Sequence, residues 1–324
     1  MRQTVFIERN EKKWKKAKRF SQGLNKISAD ELAHLYTEIT EDLSYVRTFY
    51  PDSQLINHLN GLALNLHSKI YQTKREDKKR FITFFTEEVP LIVYRHRQKF
   101  TIAFLTFMIA VGIGLFSTYK DDSFPRLILG DQYVNMTLEN IKKGDPMGVY
   151  GSSNPFTMFM GIGSNNIRVS FIAFVLGIFA SLGTGFVLFT NGVMVGAFIY
   201  FFVREGLFLE TFTTIMIHGT LELSAIVIAG AAGFILGNSW LFPGTYPRMT
   251  SLVRGAKDAI SIIIGLVPVF VIAALLESFV TRHYQVLGLA GRIFIMAISA
   301  IYIIYYFVIL PSQVNHRQSI MENS

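Results

Sequence analysis

The stretch "TTIMIHGTLELSAIVIAGAAGFILG", residues 213–237, is an apolar segment that carries two ionisable side chains. It is long enough to cross a bilayer as an α-helix, which needs about 20 residues. His218 and Glu222 are four residues apart, so both project from one face of that helix. Because an ionisable group in lipid costs about 3 kcal/mol or more, the pair is expected to face a cavity, a pathway or another polar group.

The composition is that of a polytopic helical membrane protein. Of 324 residues, 51% are hydrophobic and 17% are charged, whereas a soluble domain has roughly 25% charged residues. Cysteine is absent, which excludes disulfides, thiol catalysis and zinc sites built on cysteine. The basic start has no apolar core of a cleavable signal peptide behind it, so the first apolar span is expected to act as a signal anchor. We predict an all-α fold.

Apolar runs predict about six transmembrane helices. The third run is the shortest, since Arg204 and Glu205 interrupt it. It is open to two interpretations, a short tilted span or a re-entrant arm joined to the second span by "TNG" at 190–192. The six predicted spans are residues 100–119, 167–189, 192–208, 213–236, 258–280 and 289–310.

Residues 1–98 are predicted to form a basic helical region. Ser28 and Glu31 have the spacing of a capping box, and Pro51 should end the helix that they begin. Two further helices are expected at 53–72 and 78–100. The last of these is interpreted as an interfacial helix because aromatic and aliphatic residues are flanked by Arg and Lys. These residues are Phe81, Phe84, Phe85, Leu91 and Tyr94.

Charge predicts the orientation in the membrane. Residues 1–99 contain nineteen Lys and Arg, which places them in the cytoplasm under the positive-inside rule. Loop 120–166 has four Lys and Arg against five acidic residues and is expected to be exported, whereas the basic loop 238–257 returns inside. Both termini, including the tail 312–324, are then cytoplasmic. The basic N-terminus is expected to bind anionic lipid of the bilayer, and no nucleic-acid-binding module is recognisable.

The predicted exported loop 120–166 is long and rich in Gly, Asn and Pro. The segment 127–144 within it can form an amphipathic helix, and long loops of this kind are usually functional. We therefore expect this loop to contact a partner outside the cytoplasm. Two G-x-x-x-G pairs predict close helix packing, which we assign to contacts within the monomer, with a homo-oligomer as the alternative. The pairs are Gly192 with Gly196 and Gly233 with Gly237.

A third ionisable residue, Glu277, lies in the outer part of the fifth predicted span. It is expected to meet His218 and Glu222 in the outer half of the bundle. Three interpretations stay open. We favour a hydrogen-bonded link between the fourth and fifth spans over a protonatable site of a transporter or channel. A metal site is the weakest, because a lone histidine leaves zinc short of nitrogen ligands.

Hydrolytic motifs are missing from the sequence. It has no G-x-S-x-G, H-E-x-x-H or P-loop pattern. We therefore predict that the protein is not an enzyme and assign no catalytic residue, cofactor or metal ligand.

The combination of "HGTLE", the downstream "IAALLESFVT" and the earlier "TNGVMVGAF" resembles the stage II sporulation protein M family. That resemblance implies an integral protein of the bacterial inner membrane. The sporulation member works with two peptidoglycan-degrading proteins during engulfment, and many relatives occur in bacteria without spores, often encoded near MoxR-type ATPases. The biochemical activity of that family is poorly defined. From the exported loop and the outer polar cluster we expect a scaffold or assembly factor that engages envelope or peptidoglycan-remodelling proteins, with a transporter or channel as the alternative. The positions that match the family motif are Asn191, Gly192, His218, Gly219, Glu222 and Glu277.

Overall fold

The computed structural model describes residues 2–21, 28–71, 78–148 and 154–322, and within these residues it is helical without a β-strand. The predicted all-α fold is confirmed. The chain forms two compact units, Met1–Arg80 and Phe81–Ser324.

The first unit is built on three helices, α1 Gln3–Ser21, α2 Ala29–Phe49 and α3 Leu55–Tyr71. The predicted cap is present, since Ser28 Oγ accepts from the Glu31 N–H at 3.2 Å, and α2 ends before Pro51. Their apolar faces meet in one core. Trp14 Nε1 donates to Asp42 Oδ2 at 2.8 Å within it, so the indole nitrogen is satisfied while the ring is buried. The core contains Phe6, Trp14, Ala17, Leu35, Ile39, Leu43, Val46, Leu59, Leu62, Ala63 and Leu66.

The second unit consists of longer helices with short irregular turns between them. Helix α4, Lys78–Thr83, crosses the boundary between the units along the chain and continues as a π-helix, Phe84–Glu88. The other helices are α5 Val89–Arg95, α6 Arg97–Lys120, α7 Phe124–Leu129, α8 Asp131–Lys142, α9 Pro155–Val175, α10 Leu182–Arg204, α11 Phe208–Leu241, α12 Arg248–Leu275, α13 Tyr284–Ile304 and α14 Leu310–Glu322.

Five helical runs among the described residues are long and apolar enough to cross a membrane. The last run, Arg248–Met321, is 74 residues long and contains both predicted spans 258–280 and 289–310. It is kinked at Gly288, where φ is 61°. Since one crossing takes about 20 residues, this run has length for two. The other runs are Arg97–Lys120, Pro155–Ile178, Leu182–Arg204 and Phe208–Leu241.

The predicted bounds of the second and third spans, 167–189 and 192–208, are wrong. The chain breaks at Ala180 and Ser181, whose φ values are 52° and 66°, and not at 190–192. Asn191 lies inside α10, where its Nδ2 donates to Val187 O at 2.8 Å. The "TNG" tripeptide reads as a turn in sequence, but packing against α6 keeps it helical.

The predicted loop 120–166 is shorter than expected, because α9 begins at Pro155. Asn154 caps this helix by accepting from the Phe156 N–H at 2.9 Å, and proline at the first helical position fits the cap. Of the predicted amphipathic helix 127–144, residues 131–142 form α8, and the chain breaks before it at Gly130, whose φ is 88°. Residues 149–153 of the predicted loop, and 323–324 of the predicted tail, lie outside the described residues.

Glycines allow the closest helix contacts. A Cβ on Gly196 would collide with the backbone of α6 at Val111, and one on Gly192 with Ala110 and Phe107. Gly233 and Gly237 approach the end of α9 and the turn before α10 in the same way. Both G-x-x-x-G pairs are therefore used within the chain.

We define the proximal end of the bundle as the end where α6 begins and where α11 ends. Asp258 accepts there from Arg95 Nη1 at 3.3 Å and pairs with His96 Nε2 at 2.8 Å. Val89 and Val93 of α5 belong to the core of the second unit, so the predicted basic region 1–98 is divided between the two units. The predicted tail begins within α14, which packs against α5.

The distal end is the opposite end, where α6 ends and α11 begins. Segment 121–148, which contains α7 and α8, lies there. Val134 and Met147 are buried against Phe201 and Phe202 of α10. Asp145 Oδ1 accepts from the Tyr284 hydroxyl at 2.9 Å, which ties the segment to the start of α13.

Candidate functional site

A π-helix orients two side chains of the site. Helix α12 passes at Leu275 into a π-helix, Leu276–Val280, and then into a 3-10 turn, Thr281–His283. The Thr281 N–H bonds to Leu276 O, five residues back, so the turn holds one residue more than an α-turn. Glu277 and Thr281 both face His218 on α11 as a result.

The hydrogen bonds of His218 determine its tautomer. Its Nδ1 lies 3.0 Å from Thr281 Oγ1, and this hydroxyl donates its one proton to Leu276 O at 3.1 Å. With that proton on Leu276 O, Thr281 Oγ1 accepts from His218 Nδ1–H, an arrangement that favours the neutral tautomer with Nε2 as its basic nitrogen. Nε2 is 3.7 Å from Glu277 Oε1, and the His218 and Glu277 side chains are 5% and 12% exposed.

Glu222 lies one turn further along α11 and completes the group. One ligand atom from each of His218, Glu222 and Glu277 lies within 4.8 Å of the others. The structure thus brings together the three ionisable residues singled out in the sequence. We call them the His–Glu–Glu cluster. One neutral nitrogen and two carboxylates in a confined space can hold protons, a cation or hydrogen bonds.

One polar side chain that the sequence did not point to borders the cluster, and two buried hydroxyls lie on the helices that carry it or pack against it. Asn166 of α9 lies against Glu222, yet its Nδ2 has no well-formed hydrogen bond among the described residues. The hydroxyls of Ser170 and Ser278 are likewise buried and without a partner there. The prediction placed Asn166 in the loop 120–166 and Ser170 in the span that follows it. Their i, i+4 spacing, which puts both on one face of a helix, is the sequence feature that could have identified them.

A cavity of about 400 Å³ reaches the cluster from the distal end. Side chains of α7, α8, α10 and α11 form its walls, and they are mostly apolar. Tyr133 of α8 is among them, and burial raises the pKa of its phenol above the usual value. The cavity has an apolar body and a polar inner end.

A comparison with protein families gives a match over the region that contains the sequence motif. Residues 103–282 match the family Stage II sporulation protein M, more than half of the chain, and this range contains all three cluster residues. The chain belongs to the stage II sporulation protein M family. In this family member, residues 4–72 also match a domain of unknown function, DUF8413, which corresponds to the three helices of the first unit. No curated protein and no solved structure matches the chain.

The remaining motif positions of this stage II sporulation protein M family member have different surroundings. Gly219 lines the cavity next to His218. Asn191 and Gly192 lie in the middle of α10, where Gly192 contacts α6. Their environment is one of helix packing.

Arg292 is a further buried ionic residue that sequence reasoning did not single out. It lies within the predicted sixth span, is 9% exposed, and donates to Thr214 Oγ1 at 2.8 Å and Glu210 O at 3.1 Å. Its Nε donates to Gly288 O at 3.1 Å. The guanidinium therefore joins the kink of α13 to α11.

Proposed function

We propose that the protein is a scaffold or assembly factor of the bacterial inner membrane that presents segment 121–148 to partner proteins of the cell envelope. The observation that carries this proposal is the attachment of the segment to the bundle. Val134 and Met147 are buried in a shared core, and Asp145 accepts a hydrogen bond from Tyr284. Arg204 of α10 also pairs with Asp122 at 2.8 Å. A surface held in this way is preorganised for a partner.

The outward face of α8 is polar and available for contact. Gln132, Asn135 and Met136 are exposed, as are the charged Asp131 and Glu139. Helix α8 buries Val134 and Thr137 on the opposite side. Such a mixed face suits a reversible protein interface, which is about as polar as the rest of a protein surface. Envelope proteins, including those that remodel peptidoglycan, are the partner class that family membership favours.

The His–Glu–Glu cluster supports this role by positioning the segment. The contact of His218 with Thr281 fixes residues 281–283 against α11. Tyr284 follows directly and holds Asp145. The cluster is thus connected, through one turn of helix, to the proposed contact surface.

Site-specific photo-crosslinking in cells tests the scaffold. A crosslinking amino acid at Met136 should capture envelope proteins, and combined alanine substitutions at Gln132, Asn135 and Glu139 should abolish that capture with unchanged protein abundance. Matched substitutions at the exposed Gln313, Arg317 and Gln318 of α14 serve as the control. Capture that persists in the α8 variant would contradict the proposed surface.

The cavity favours a second candidate, a transporter or channel that uses the His–Glu–Glu cluster as a protonatable site. The cavity is large enough for a small solute and ends at ionisable groups. Proteoliposomes with a pH gradient distinguish the two functions. A scaffold shows no flux, whereas a flux that Glu222→Gln abolishes without loss of folded protein would replace the scaffold proposal.

A further inference from the structure

We propose that His218, Glu222 and Glu277 bind one divalent transition-metal ion of the zinc class at the inner end of the cavity. The proposal goes beyond the scaffold function and does not rest on it. It requires three donor atoms that converge, a fixed histidine tautomer and polar groups around the ligands. Each requirement is met by residues of the second unit.

The donor atoms converge closely enough for one ion. Bonds of about 2.1 Å from zinc to nitrogen and oxygen imply about 3.4 Å between ligands in a tetrahedral site. His218 Nε2 and Glu277 Oε1 are 3.7 Å apart, and one ligand atom from each of the three residues lies within 4.8 Å of the others. Small rotations of the two glutamate side chains close the remaining gap.

The imidazole is held as a metal ligand would be. Ligating histidines usually donate their second ring N–H to an outer-shell acceptor, which fixes the tautomer and orients the ring. Thr281 Oγ1 is that acceptor at 3.0 Å from His218 Nδ1, and Leu276 O in turn receives the Thr281 proton. The basic Nε2 is left on the side of Glu277.

Buried polar side chains supply an independent indication of a ligand. Asn166 is 5% exposed and lies against Glu222, but its Nδ2 has no well-formed hydrogen bond among the described residues. Ser278, the residue after Glu277 in the chain, is fully buried, and its hydroxyl has no partner among the described residues. Buried polar groups without partners are rare, and they are expected where an ion and its water are part of the site.

Charge and donor type select the metal. A divalent cation would displace the protons of the two carboxyl groups, and the resulting carboxylates would balance its charge beside a neutral imidazole. The imidazole nitrogen favours a transition metal over magnesium and calcium, which prefer sites made of oxygen alone, and the two carboxylates supply oxygen ligands in place of the further nitrogens that zinc usually has. The three ligands all line the cavity, so a fourth coordination position faces it.

Metal binding by the full-length protein in detergent tests the site. After removal of metal with a chelator and reloading with Zn²⁺, we expect one equivalent per chain by mass spectrometry of the metal. X-ray absorption should show one imidazole among nitrogen and oxygen ligands. The variants His218→Ala, Glu222→Gln and Glu277→Gln should each lose the bound ion.

A variant outside the ligand set separates a metal site from a structural one. Thr281→Val keeps all three ligands and removes the acceptor of Nδ1–H, so zinc affinity should fall about 10- to 100-fold. Glu205→Gln and His283→Ala change exposed residues outside the cluster and should leave affinity unchanged.

Folded, monodisperse wild-type protein that binds no Zn²⁺, Mn²⁺ or Fe²⁺ would overturn the proposal. One equivalent of bound metal whose X-ray absorption spectrum shows no imidazole ligand would also overturn it. Both measurements use the wild-type protein and so do not depend on the folding of a variant. The crosslinking result at Met136 is read separately, so failure of the scaffold and failure of the metal site are distinguishable.

Discussion

At the scale of the residue, Arg292 illustrates how a charge is accommodated inside the bundle. Three hydrogen bonds, to Gly288 O, Glu210 O and Thr214 Oγ1, hold its guanidinium, and none of these three acceptors is a carboxylate. Bonds of this kind to a charged donor contribute about 1.5–3 kcal/mol each when one partner is removed.

Arg292→Met should lower the free energy of unfolding by about 2 kcal/mol or more. The substitution removes the hydrogen bonds to Glu210 O and Gly288 O, which hold the kink of α13 against α11. Thermal unfolding in detergent measures this loss. Arg317→Met, on the exposed face of α14, is the matched control and should shift the melting temperature little. Equal melting temperatures for the two variants would show that Arg292 does not join α11 to α13.

At the level of single residues, the sequence identified the ionisable members of the cluster but not the polar residues that border them. His218 and Glu222 follow from helical spacing alone. Thr281 and Asn166 do not, since the π-helix that aims Thr281 at His218 adds a residue without a recognisable sequence mark. The predicted loop boundary also placed Asn166 outside the membrane.

At the scale of the element, the contact between α6 and α10 depends on glycine. Gly196→Ala should destabilise the protein by about 1–3 kcal/mol, because its Cβ would overlap the α6 backbone at Val111. Gly185 lies on the same helix with open space around its Cα, so Gly185→Ala should be neutral or slightly stabilising. Unfolding in denaturing detergent compares the pair, and similar losses for both would exclude the close contact as the cause.

The attachment of segment 121–148 makes a separate prediction. Tyr284→Phe removes the hydrogen bond to Asp145 and should weaken the local structure by about 1 kcal/mol. Hydrogen exchange of α7 and α8 should therefore become faster, while that of α11 stays unchanged. Tyr246→Phe, at a half-exposed tyrosine, is the control. Unchanged exchange in α8 would show that the apolar contacts of Val134 and Met147 suffice.

Helix boundaries were predicted unevenly, for a physical reason. Spans 100–119 and 213–236 lie within α6 and α11, which extend beyond them at both ends, because apolar length determines where these helices form. The break at Ala180 and Ser181 was missed because left-handed φ values at residues other than glycine cost energy locally and are held by surrounding contacts. Ser181 contacts Gly237, which only the folded bundle places there.

At the scale of the whole molecule, the absence of cysteine allows a direct test of topology. If the protein crosses the membrane six times, a single cysteine at Met136 should be labelled from outside. Single cysteines at Thr245 and at Gln318 should both be labelled from the cytoplasmic side. The parent chain is the unlabelled control. If the run Arg248–Met321 crosses once, the Gln318 cysteine would be labelled from the side opposite to Thr245, which contradicts six spans.

The amino-acid sequence by itself determined the class of the protein, its helical spans in outline and the face shared by His218 and Glu222, because hydrophobic length and helical periodicity are local properties. Only the tertiary structure decided where α9 ends, that the glycine pairs pack within the chain, and that Thr281 and Asn166 border the cluster. Those features depend on contacts between residues far apart in the chain. The energies of such contacts cannot be obtained from local sequence patterns.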